Sequence, residues 1–104
     1  MSISFSVQKF NANSGKRLEG TITTINLDQA PYEAVLEISG YSYHLIFGRQ
    51  INGWFICVPN WNIGAELAHP SDIFWNKTSL SNAGAGKRNA HYISAALAEL
   101  GAYL

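Results

Sequence analysis

The feature that most constrains this chain is a change of apolar period near residue 60. Ahead of it, apolar side chains recur every second residue. Ile3, Phe5 and Val7 alternate with Ser4 and Ser6, which gives a short strand one apolar face. Asn11 to Gly15 (NANSG) reads as a turn. Leu18 to Leu27 (LEGTITTINL) is rich in Thr and Ile, and its phase slips once, as at a bulge. After the break at Asp28 to Pro31, Tyr32, Ala34, Leu36 and Ile38 share one face, with Glu33, Val35 and Glu37 opposite. Gly40 supplies a turn, and Tyr41, Tyr43, Leu45 and Phe47 follow on one side. Gly48 to Asn52 closes another hairpin, and Gly53 to Val58 runs until Pro59, which has no ladder donor.

Beyond PNWN (Pro59 to Asn62) the spacing becomes helical. Ile63 to Ala68 allows a short helical turn, and Ile73 to Leu80 allows a helix of two to three turns behind Pro70 and a cap at Ser71 or Asp72. Ile93, Leu97, Leu100 and Leu104 form one stripe of a last helix, with Asn89 as its expected cap and Gly101 at its end. Strands first and helices last predict an α+β fold. It is a four- to six-stranded antiparallel sheet followed by two or three packed helices, in a single domain over 1–104.

Composition narrows the function classes. Seven Lys plus Arg balance seven Asp plus Glu, and charged residues are 13% of the chain. That balance argues against a disordered tail and against bulk phosphate affinity, while leaving room for a local basic patch. DNA mimicry is disfavoured too, since it needs dense negative charge. MSISFSVQKF has no basic stretch followed by an apolar one, and no apolar run approaches the roughly 20 residues of a membrane span. Cys57 is the only cysteine and sits in an apolar run, so it is expected as a small buried hydrophobe with no disulfide partner in the chain. These signs point to a cytoplasmic protein with no membrane contact.

Catalytic and metal chemistry find little support. His44, His69 and His91 lack zinc-ligand spacing. Cys57 with His44 would need to meet as a dyad, and Cys57 is flanked by the apolar Ile56 and Val58 with no activating residue beside it in sequence. His69 with Glu66 and Asp72 is the alternative enzymatic set, since Pro70 turns the chain through them, but no nucleophile accompanies it. Gly84-Ala85-Gly86-Lys87-Arg88 fails the phosphate-loop pattern, with Arg88 where Ser or Thr belongs. No cofactor, metal or catalytic residue is expected.

Aromatic residues carry more information. Of three tryptophans, Trp61 alone lies in a polar turn. It is either tucked back as a plug or exposed as an anchor, and Tyr41 and Tyr43 could extend such a surface, with Lys87 and Arg88 beside it. An alternative is single-stranded nucleic-acid binding. Tyr41, Tyr43 and Trp54 would stack bases while Lys16, Arg17, Lys87 and Arg88 touch phosphates.

The run Tyr43-His44-Leu45-Ile46-Phe47-Gly48, then Gly53-Trp54-Phe55 and Cys57-Val58-Pro59-Asn60-Trp61, resembles a family of small uncharacterised proteins from phages, plasmids and conjugative elements of Gram-positive bacteria. The similarity continues through Glu66-Leu67-Ala68, Asp72-Ile73-Phe74-Trp75-Asn76 and Ile93-Ser94-Ala95-Ala96-Leu97. It covers residues 32 to 100 and leaves 1 to 31 outside. The resemblance implies a non-enzymatic inhibitor that binds a bacterial protein, in its specific form a CRISPR effector nuclease. Much of the shared pattern also serves folding: Asn60 and Asn76 can satisfy backbone groups around turns, and Phe74 and Trp75 can dock a helix on the sheet.

Overall fold

A computed structural model describes residues 1–11, 15–50, 53–63 and 85–104, with 49–50 and 53–55 described by their backbone alone. Five strands follow one another: β1 (Ser2–Gln8), β2 (Arg17–Asn26), β3 (Tyr32–Ile38), β4 (Tyr41–Gln50) and β5 (Gly53–Cys57). They form one antiparallel sheet in the order β1-β2-β3-β4-β5, each strand pairing with its sequence neighbours. A single turn of 3-10 helix (Pro59–Trp61) comes next, and α1 (Lys87–Gly101) ends the described chain. The fold is therefore α+β, with the expected antiparallel sheet. One helix is described. The other expected helical segments, 64–68 and 73–80, lie outside the described residues, while Ile63 bridges back to Val58.

The period of two becomes a two-faced sheet. Ile22, Leu36, Leu45, Phe47 and Ile56 are fully buried on one face, beneath Ile93, Leu97 and Leu100 of α1. Each such side chain contributes about 1.5–3 kcal/mol of burial. Gly20 is required on this face: a Cβ there would lie 2.7 Å from Cε1 of Phe5. The slip of phase in β2 is a register shift between Thr24 and Asn26, which leaves Ile25 57% exposed. The β3–β4 connection has two residues, Ser39 at φ 53° and Gly40 at φ 79°. Two successive positive φ values give the tight turn whose twist suits a hairpin.

Two local expectations change. Asn89 does not cap α1. The helix starts at Lys87 behind Gly86, whose φ is 79° and which makes no side-chain cap bond, and the Asn89 carboxamide is engaged with the sheet instead. Cys57 is half-buried. It pairs with Ile46 on the face opposite α1, because its parity in β5 is opposite to that of the buried Ile56 and Val58.

Candidate functional site

The expected surface residues gather where β4 begins, but not as a flat aromatic patch. The parity that buries Leu45 and Phe47 also buries Tyr43, which is fully inaccessible. Tyr43 is therefore not a contact residue. Its hydroxyl donates to Oδ1 of Asn89 at 2.6 Å and so ties β4 to the first turn of α1. Burial raises the Tyr43 phenol above its ordinary value of 10.0, with the nearby Arg88 partly opposing the shift.

Trp61 is tucked back. Its ring stacks on Tyr43 at 5.0 Å and 22° and meets Tyr41 edge-on at 5.7 Å and 64°. Its indole N–H donates to the Ser42 carbonyl at 2.8 Å. The ring is half-buried and packs against the core. Arg88 lies over Tyr41, its guanidinium carbon 4.3 Å from the centroid of that ring. Tyr41 is half-buried, while Lys87 and Arg88 are exposed. A shallow groove beside the β3–β4 turn is lined by Glu19, Glu37, Ser39, Tyr41 and Ser42.

The turn that carries Trp61 has a backbone role. In β4, the even-numbered residues Ile46, Gly48 and Gln50 face β5, but β5 pairs no further than Ile46. Ser42 and His44 would be left without partners. The side-chain amide of Asn60 takes the place of a strand peptide: Oδ1 accepts from the His44 N–H at 3.0 Å, and Nδ2 donates to the Ser42 carbonyl at 2.8 Å. Asn60 thus satisfies backbone groups, as the sequence suggested. Asn76 lies outside the described residues.

The remaining candidates do not converge. On the face opposite α1, His44 Nε2 lies 2.7 Å from Oε2 of Glu33, and no hydrogen bond joins it to Cys57. His91 donates from Nε2 to the Gln8 carbonyl at 2.6 Å. Glu66, His69 and Asp72 lie outside the described residues, and the side chain of Trp54 is not among those described. Among the described residues, no three His, Cys, Asp or Glu side chains gather for a metal ion, and no helix is long and apolar enough to cross a membrane.

The two basic pairs face different ways. Arg17 lies on the polar face, where Nε and Nη2 bond Oγ and the carbonyl of Ser6 at 2.7 and 2.9 Å. Lys16 is exposed at the start of the same hairpin arm. Arg88 lies on the α1 face over Tyr41. A base-stacking platform of Tyr41, Tyr43 and four cations is thus not assembled, because Tyr43 is in the core and Arg17 points away.

Sequence reasoning missed the Arg88–Tyr41 stack and the Tyr43–Asn89 bond. The parity of Tyr43 with Leu45 and Phe47 was the available signal for its burial. No curated protein and no solved structure matches the chain. A family model does match, over residues 3–104. It takes in β1 and β2, which the resemblance above left outside, together with the Asn60–Trp61 turn and α1. With nearly its whole length covered, the chain belongs to the family of unknown function DUF6618.

Proposed function

We propose that the chain is a non-enzymatic protein-binding module whose contact surface is built from Tyr41, Trp61, Lys87 and Arg88. The observation that supports this is the Arg88 guanidinium held 4.3 Å over Tyr41, with Tyr41 braced edge-on by Trp61. Arg, Tyr and Trp dominate binding energy at interfaces, and rings already fixed lose little side-chain entropy on contact. Trp61 is fixed by its indole bond and by Tyr43, so the surface is rigid before a partner arrives. Lys87 and Arg88 favour a partner patch with acidic groups around an apolar centre.

The partner implied by the family resemblance is a host defence nuclease such as a CRISPR effector. The test is a stoichiometric pull-down and a plasmid-interference assay with such effectors. The wild-type chain is compared with Arg88→Glu and Tyr41→Ala. Binding and inhibition that both variants abolish, with the fold kept, would support the reading. Binding unaffected by either variant would exclude this surface. Tryptophan quenching by single-stranded RNA at low salt, with no protein partner found, would favour the nucleic-acid alternative.

A further inference from the structure

The outer edge of β1 is open in a specific pattern. The backbone bonds from Thr24 N–H to the Met1 carbonyl at 2.9 Å and from Lys9 N–H to the Lys16 carbonyl at 2.8 Å show which residues bond β2. With the register Ile3↔Ile22, Phe5↔Gly20 and Val7↔Leu18, the odd-numbered residues of β1 face β2. The even-numbered residues therefore point their N–H and C=O outward. Gln8 confirms this parity, since its carbonyl accepts from His91 of α1. The Ser6 carbonyl accepts from Arg17, which reaches it from the polar face. Among the described residues, no strand pairs with the outer side of β1.

What is left is a short window comprising both groups of Ser2, both groups of Ser4 and the N–H of Ser6. All three serines are exposed. The strand SISFSVQ carries no charge and no proline, and its pairing with β2 has no bulge. Proteins usually blunt an exposed edge with one of those devices.

We infer that β1 pairs antiparallel with β1 of a second copy, about a two-fold axis through Ser4, to give a continuous ten-stranded sheet. In this register Ser4 exchanges both bonds with Ser4 of the second copy, and Ser2 exchanges both with Ser6. The Ser6 carbonyl has a second lone pair beside the one Arg17 uses. On the polar face the serine hydroxyls meet, with the Arg17 guanidinium held over Ser6 at each end of the paired window. On the other face Ile3 lies beside Phe5 of the second copy, and Met1, 62% exposed in the single chain, lies beside Val7. The choice of a second copy rests on this self-complementarity. The strand itself carries no ionisable side chain, so its own residues offer no ionic selection for a different partner and no repulsion toward a second copy. Gln8, already covered by His91, falls outside the paired window.

A strand pair this short buries less than the roughly 1,200 Å² of a stable interface. The association is accordingly weak, with a dissociation constant on the order of 100 µM. It is tested by sedimentation equilibrium of the full chain over a concentration series to about 1 mM. The wild type is expected to move from a mass of 11.4 kDa toward twice that value. Ser4→Pro removes a donor that serves only the outer edge, and Ser4→Lys sets two ammonium groups opposite each other across the axis. Both variants are expected to stay monomeric. Circular dichroism is the check that each variant is folded, and if Ser4→Pro unfolds, Ser4→Lys alone decides. A wild type that stays monomeric across the range overturns the inference. So does a dimer that survives in the folded variants, since its interface would then lie elsewhere.

Discussion

Two edges of this sheet meet the same problem with different side chains. Beside β4, where β5 stops, the Asn60 carboxamide supplies one acceptor and one donor and satisfies both His44 N–H and the Ser42 carbonyl. Beside β1, Arg17 and His91 each donate to one carbonyl, at Ser6 and Gln8. The difference lies in the chemistry of the groups. A carboxamide resembles a peptide and can replace a strand, whereas a guanidinium has donors only. The arginine therefore covers a carbonyl and leaves the N–H groups of Ser2, Ser4 and Ser6 unserved. A sheet edge guarded by donors alone is half closed, and its free groups are all of the type another strand can use.

This contrast can be broken in four places. The largest effect is expected from Trp61→Ala, which removes the ring stacked on Tyr43 and one donor to the Ser42 carbonyl. The half-buried site predicts a loss of about 2–3 kcal/mol in urea unfolding, below that of a fully buried tryptophan. A loss under about 0.5 kcal/mol, the scatter of ordinary surface changes, would show that the turn is not held by its ring.

Asn60→Ala comes next, at about 1 kcal/mol, because water can reach part of the exposed bond. Hydrogen exchange gives the sharper reading. The His44 amide should be protected in the wild type and lose that protection in Asn60→Ala, while the Ser4 amide of the dilute protein exchanges freely in both. Equal protection of His44 and Ser4 would erase the distinction between the edges.

Tyr43→Phe removes the 2.6 Å bond to Asn89 and should cost about 1 kcal/mol near neutral pH. It also carries a pH signature. Burial raises the folded-state pKa of Tyr43, so the folded chain holds this proton more tightly than the unfolded chain. The resulting stability is complete below the ordinary tyrosine value of 10.0 and is lost as pH rises through the elevated folded value. Melting temperatures measured from pH 9 upward should fall more steeply for the wild type than for Tyr43→Phe. Parallel curves would mean that Tyr43 does not govern the alkaline loss.

The smallest effect on the fold is expected from Arg17→Ala. Its bonds to Ser6 are exposed, so the single chain should change by less than about 0.5 kcal/mol. If the arginine guards the edge, self-association should strengthen, as read from the same sedimentation series. A weaker association would instead make Arg17 part of the contact.

Much of the sheet was legible from residues alone. Alternation located β1, β3 and β4, richness in Thr and Ile located β2, and an apolar run ending at Pro59 located β5, while Gly48 to Gln50, expected in a turn, extend β4 instead. The slip in LEGTITTINL marked the irregularity after Thr24. The stripe Ile93, Leu97, Leu100 located α1, and all three side chains are buried. The candidate site was harder to read. Tyr41 and Tyr43 have the same parity, yet one is half-exposed under Arg88 and the other is sealed beneath Asn89. Parity assigns a residue to a face but cannot say how far the covering helix extends over it.

The sequence by itself determined what depends on neighbours along the chain. Each strand's two faces follow from a period of two, the tight Ser39-Gly40 turn from glycine's tolerance of positive φ, and the end of β5 from proline's missing N–H. Only the tertiary structure decided which polar groups find partners. The bond from His44 N–H to Asn60 spans 16 residues, Tyr43 to Asn89 spans 46, and His91 to Gln8 spans 83. Asn60, Asn89 and His91 look alike in sequence, as polar residues in turns or at helix starts. What separates their roles is the backbone or hydroxyl group that the packed sheet brings within 3 Å of each, and no local pattern encodes that distance.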